Sequence, residues 1–164
     1  MIAFKGGRIS AGGKRSGLGS GFGSLVSYLK HGEAGSPPNP ERVAWVSYRN
    51  LDGIDDPTLA GRLMRAHAEE NPRVERPVYH FGLSLAPGEH LSPDQWNAAV
   101  DRVLARMGLS EHQAVVMAHG DTDREHVHIV VNRVEEDGRA WDPRQDMVKA
   151  YEAVHEIESE HGLR

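Results

Sequence analysis

The 164-residue chain contains no cysteine, so neither a disulfide framework nor a thiolate metal site is open to it. No apolar run is long enough to span a bilayer. The opening Met-Ile-Ala-Phe-Lys-Gly-Gly-Arg lacks the hydrophobic stretch of a signal peptide, so the expected address is the cytoplasm. There is no internal repeat and no G-x-S-x-G elbow to present a serine nucleophile. The longest stretch without acidic residues is the start of the chain. The first 32 residues hold Lys5, Arg8, Lys14, Arg15 and Lys30, no Asp or Glu, and nine of the 18 glycines. A cationic, glycine-rich start thus precedes a body acidic enough to bring the chain to a net −5. Such a segment can follow a phosphate backbone closely, because glycine permits unusual dihedrals and close approach. The alternative is a loose, solvated arm.

What is present fits one soluble domain, with 38% hydrophobic and 26% charged residues. Residues 2–5 read as a strand and 10–21 as a flexible loop. Phe22, Leu25, Val26 and Leu29 recur at helical spacing up to Gly32. Val43–Tyr48 is a strand by composition. Asp56-Pro57 opens a helix in which Leu59, Leu63 and Met64 share a face. Val78–Leu85 is a third strand, and Ser92-Pro93-Asp94 caps a helix with the stripe Trp96, Ala99, Val100, Val103, Leu104 and Met107. Strands follow at Ala114–His119 and His126–Arg133. A last helix over Gln145–His161 is expected to bury Val148, Tyr151, Val154 and Ile157. The loop Gly120–Glu125 is too short for a parallel crossover, so the last two strands form an antiparallel hairpin. The expected class is α+β: a five-stranded, mainly antiparallel sheet with helices packed on one face, leaving the other face solvated or functional.

The chemistry concentrates in His119-Gly-Asp-Thr-Asp-Arg-Glu-His126-Val-His128-Ile-Val-Val-Asn132-Arg133. Alternation points His126, His128, Val130 and Asn132 to one side of the strand and the apolar Val127, Ile129 and Val131 to the other. The hairpin brings His119 beside the pair, and three neutral imidazoles can hold a divalent cation with positions left for substrate. Asp121 and Asp123 either hold a ring N–H of a ligand histidine or favour the turn; the first role is preferred for Asp121. On the third strand His80, Gly82 and Ser84 face the same side, and His80 reads equally as a site residue or a structural histidine. Tyr28 lies on the border of the first helix's apolar stripe, just after the acid-free segment, and is the candidate nucleophile; Tyr48, Tyr79 and Tyr151 fit packing roles.

These segments resemble the motifs of plasmid conjugation and mobilisation relaxases, members of the HUH endonuclease superfamily. GSLVSYLKHG (23–32) is similar to their first motif, RPVYHFGLSLAPGEHLS (76–92) to their second, and the His-x-Asp, His-hydrophobic-His and Asn-Arg pattern to their third. The likeness is greatest to the mobilisation nucleases related to the Agrobacterium T-DNA endonuclease. It implies that Tyr28 attacks single-stranded DNA at an origin of transfer, beside one divalent ion (Mg or Mn; Zn, Ni or Co by ligand chemistry alone) at His119, His126 and His128. Asp121 or His80 would assist as hydrogen-bond partners or in proton transfer. Lys5, Arg8, Lys14, Arg15, Lys30, Ser84, Asn132 and Arg133 are the candidate DNA contacts. Accessory relaxosome proteins, a coupling protein and a bacterial cytoplasmic address follow from the same likeness. Full relaxases usually continue into further domains, so residues 1–164 would be the nicking domain, with an N-terminal fragment of a longer protein left open. The alternatives are a rolling-circle replication initiator, a single-strand transposase, or a metal nuclease that uses water and needs no tyrosine.

Overall fold

The computed structural model describes residues 1–6 and 15–164. In chain order the elements are β1 (Ile2–Lys5), β2 (Leu18–Gly19), α1 (Phe22–His31), β3 (Val43–Arg49), α2 (Pro57–Ala68), β4 (Val78–Ser84), α3 (Pro93–Arg106), β5 (Ala114–His119), β6 (His126–Asn132) and α4 (Asp146–His161). The strands form one sheet in the order β1-β4-β6-β5-β3, with every pairing antiparallel. The expected α+β class and the β5–β6 hairpin are both present.

The two-residue β2 lies inside the stretch read as a loop and completes an edge already begun. Lys5 pairs with Phe81 and Leu18 with Tyr79, so β1 and β2 lie end to end along β4. Between them only His80 is spanned: Gly6 N–H donates to its carbonyl at 2.9 Å, and its N–H donates to Gly17 O at 2.7 Å. They are two halves of one edge strand along β4. Arg8 and Lys14 lie outside the described residues.

Helices cover both faces of the sheet, not one. On the first face α3 and α4 close over Tyr79, Phe81, Leu83, Val116, Val127, Ile129 and Val131. On the second, α1 and α2 close over Val78, Val115, Met117 and Val130. β5 is apolar on both sides, and both must leave water. The α3 start is as read, with a full capping box between Ser92 and Gln95. The buried sides of α2 and α4 differ from expectation. α2 buries Ala60, Gly61, Met64 and Ala68 and leaves Leu59 and Leu63 exposed; α4 buries Ala150, Ala153, Val154 and Ile157 and exposes Val148 and Tyr151. Small residues let each helix approach its neighbour closely: a Cβ on Gly61 would lie 3.7 Å from Gly23 Cα in α1.

Candidate metal and nucleophile site

The second face is only partly roofed. α1 ends at His31, and beyond its last turn the sheet carries His119 from β5 and His126 and His128 from β6. Register sets this: His119 is the direct partner of His126, and Gly82 of His128. A side chain at Gly82 would strike Phe4, whose ring stands edge-on to His128 at 5.6 Å. One nitrogen from each of the three histidines lies within 4.8 Å of the others.

Each of the three rings is anchored by a hydrogen bond at one nitrogen. His119 Nε2–H donates to Leu29 O at 2.8 Å, leaving Nδ1 free. His126 Nδ1–H donates to Arg124 O at 3.1 Å, leaving Nε2. His128 Nδ1 meets His80 Nε2 at 2.9 Å; when His128 donates, its Nε2 is free as well. Burial, reinforced by the surrounding imidazoles, pushes His128 down to about 2. Burial likewise lowers His119. Burial thus favours the neutral form of His119 and His128, and a hydrogen bond orients each of the three rings, as imidazole ligands of a divalent cation require. The donor set fits a metal ion.

The remaining candidates divide clearly. His80 is buried and pushed down to about 4, first by burial and then by the Arg15 charge. Its Nδ1 is buried without a partner, directly under Gly6, where a Cβ would come within 1.9 Å. Its Nε2 is thus committed to His128 while Nδ1 is walled in by the edge strand, a geometry suited to holding His128. Asp121 does not reach a ligand histidine; it pairs with Arg42 at 3.1 Å. Ser84 stands opposite His126 across the β4–β6 ladder. Arg15 is exposed, and Lys30 sits in the last turn of α1 without an ion pair among the described residues.

Three proposed DNA contacts need correction. Lys5 shares the parity of buried Ala3 and faces the α3–α4 side, where it pairs at 3.0 Å with the buried Asp146. Asn132 is fully buried, donating to Met64 O and Gln113 Oε1 and accepting from Val134 N–H. Its alternation places it on the histidine side, but there α2 covers it. Arg133 spends its guanidinium on the Trp141 and Arg76 carbonyls, roughly 20 Å along β6 from His126.

Tyr28 is half exposed on the last turn of α1, next to the residue whose carbonyl receives His119. Arg42, absent from the sequence reading, lies against it, with its guanidinium carbon 5.8 Å from the ring centroid. The hydrogen bonds of Arg42 run to residues 13 and 79 positions away, which no local pattern announces.

The sequence model of the relaxase family described as MobA/VirD2-like, nuclease domain, matches residues 32–163. The chain belongs to that family. Among curated proteins, this relaxase domain is 29% identical over 116 residues to Protein TraI of Escherichia coli, covering 70% of the chain and 15% of that protein. It is 38% identical over 71 residues to Protein MobA of Acidithiobacillus ferrooxidans, covering 43% of the chain and 17% of that protein. The chain therefore corresponds to a small part of the length of these relatives. The family match includes His80, His119, His126 and His128 and begins just after Tyr28. Among the described residues no helix is long and apolar enough to cross a membrane.

Proposed function

We propose that this relaxase domain nicks and rejoins one DNA strand at a plasmid origin of transfer, with Tyr28 as the nucleophile beside a divalent cation at His119, His126 and His128. The observation that carries the reading is the histidine cluster at the open end of the sheet, joined directly to the helix that bears Tyr28 through the His119–Leu29 bond. The bound cation would supply Lewis acidity to a non-bridging oxygen of the scissile phosphate. The family resemblance implies Mg or Mn, and nitrogen donors also suit Zn, Ni or Co. The three histidines fix where the phosphate sits, and the last turn of α1 fixes where the phenol approaches it.

The Tyr28 oxygen attacks phosphorus in line, and the bond to the 3′ oxygen breaks. The phenol's proton ends on that oxygen, giving a free 3′-OH and a 5′-phosphotyrosine. One phosphodiester replaces another, so attack by a 3′-OH reverses the step and reseals the strand. On this reading the partners are single-stranded DNA at the origin, accessory relaxosome proteins and a coupling protein, in the bacterial cytoplasm.

The test is incubation of the protein with Mn²⁺ and a random pool of single-stranded oligonucleotides, followed by recovery of protein-linked DNA. Wild type yields a protease-sensitive covalent adduct. Tyr28→Phe, which keeps the ring and loses only the oxygen, stays folded and yields none. Cleavage with two free DNA ends, indifferent to this substitution, would identify a nuclease that uses water and overturn the reading.

A further inference from the structure

We infer that Arg42 is a positioning residue for Tyr28, locking the last turn of α1 onto the histidine loop with its guanidinium fork; the inference rests on Tyr28 being the nucleophile. Arg42 binds in three directions at once. Its Nε donates to Leu29 O at 3.0 Å and one terminal nitrogen to Tyr28 O at 3.1 Å. The other terminal nitrogen meets Asp121 Oδ2 at 3.1 Å. Its backbone carbonyl receives Gly120 N–H at 3.1 Å, immediately after His119. A single residue at the mouth of β3 thus joins the end of α1, the end of β5 and the β5–β6 loop.

Each contact has a physical reason to matter. The final carbonyls of a helix lack intrahelical donors, and a cation there also meets the negative end of the helix dipole. Tyr28 O receives Gly32 N–H at 2.7 Å as well, so the turn carrying the phenol is fixed from two sides. Gly32 closes the turn at φ +82°, a conformation that glycine adopts without strain. The guanidinium carbon lies over the Tyr28 ring, 5.8 Å from its centroid, and the group restricts the directions the half-exposed phenol can take. Asp121 has the task of aiming Arg42, which accounts for its distance from the ligand rings.

This arrangement acts on the turnover step and not on binding. None of the three groups that Arg42 holds is a metal-ligating nitrogen. Lysine keeps the charge but has no planar fork to reach two carbonyls and a carboxylate together. A misplacement of the phenol by about 1 Å costs about 100-fold in rate.

The experiment uses the full chain, Mn²⁺ and an oligonucleotide recovered by covalent capture from a random single-stranded pool. Adduct formation by Tyr28→Phe would remove the reading on which the inference rests, whatever Arg42 does. With Tyr28 established by loss of that adduct, Arg42→Gln and Arg42→Lys should each lower kcat for adduct formation about 10- to 100-fold. KM for the oligonucleotide and the Mn²⁺ affinity should stay near wild type. Asp121→Asn, which leaves the carbonyl contacts in place, should lower kcat less, and its effect should not add to that of Arg42→Gln. Should Arg42→Gln melt too readily to assay, Arg42→Lys and Asp121→Asn carry the same test. A kcat within about twofold of wild type in the folded variants overturns the inference. So does a loss confined to KM or to Mn²⁺ affinity, which would make Arg42 a DNA or metal-site group. Full activity in Arg42→Lys overturns it too, because charge alone would then suffice.

Discussion

At the scale of the residue, the site depends on which nitrogen of each imidazole is occupied. His119 and His126 give one N–H to main-chain carbonyls, acceptors whose role no titration can reverse. His128 alone relies on another imidazole, and His80 can accept from it only while Nε2 is unprotonated. His80→Leu should therefore weaken Mn²⁺ binding about 10- to 100-fold by titration calorimetry, whereas His80→Gln, which returns an acceptor, should recover most of it. Unchanged affinity in His80→Leu would make His80 a packing residue. The same ring also carries a pH signature. Its folded pKa is pushed down to about 4 from 6.5, so between these values the unfolded chain takes up a proton that the folded chain refuses. Its contribution is present in full above about pH 7 and drains away as pH falls towards 4, on the order of a few kcal/mol. Thermal melts of the metal-free protein should show a shallower loss between these limits in His80→Leu than in wild type.

At the scale of the element, the edge strand is the unusual feature. β1 and β2 continue one another along β4, with Gly6 and Gly17 bonded to the two main-chain groups of His80 between them. Gly6 is required by space: an added Cβ would lie 1.9 Å from Nδ1 and 2.4 Å from Cγ of His80. Gly6→Ala must push the ring off its bond to His128 or lift the edge strand. It should cost about 1–3 kcal/mol of stability in denaturant titration and weaken Mn²⁺ binding in the same variant. Gly23→Ala is the control, since a Cβ there meets nothing within 4 Å and a helix gains about 0.5–1 kcal/mol from the exchange. Equal stability of Gly6→Ala and wild type would show that the edge strand yields beside His80 without cost. Strand alternation made the histidine face legible in sequence, because period two leaves a side chain no other choice. The buried sides of α2 and α4 were not legible, because close helix packing selected alanine and glycine while the large apolar residues stayed outside. Arg42 escaped for another reason: its partners are local in space and remote in sequence.

At the scale of the whole molecule, an acidic chain must meet a polyanion. The net charge of −5 misleads, because at physiological salt a charge acts over about 8 Å. Part of the acidity is held on the side of the sheet away from the histidines, where α4 pairs Glu152, Glu156 and Glu160 with Arg102 and Arg106 of α3. The histidine side instead has Arg15 near enough to depress His80, and Lys30 unpaired among the described residues. The basic start of the sequence was legible as a DNA-facing candidate; that Lys5 turns to the opposite face was not, since its partner Asp146 is most of the chain away. The asymmetry has a measurable consequence. Each phosphate contact on a single strand releases counterion worth a slope of about −0.7 in log K against log salt. Arg15→Ser should therefore flatten the KCl dependence of single-stranded oligonucleotide binding by about 0.7, while Arg102→Ser, on the far side, should leave the slope unchanged. Fluorescence anisotropy with Tyr28→Phe as the background measures binding without cleavage. If Arg102→Ser flattens the slope and Arg15→Ser does not, the strand runs over the α3–α4 side, and the histidine end of the sheet is not where DNA lies.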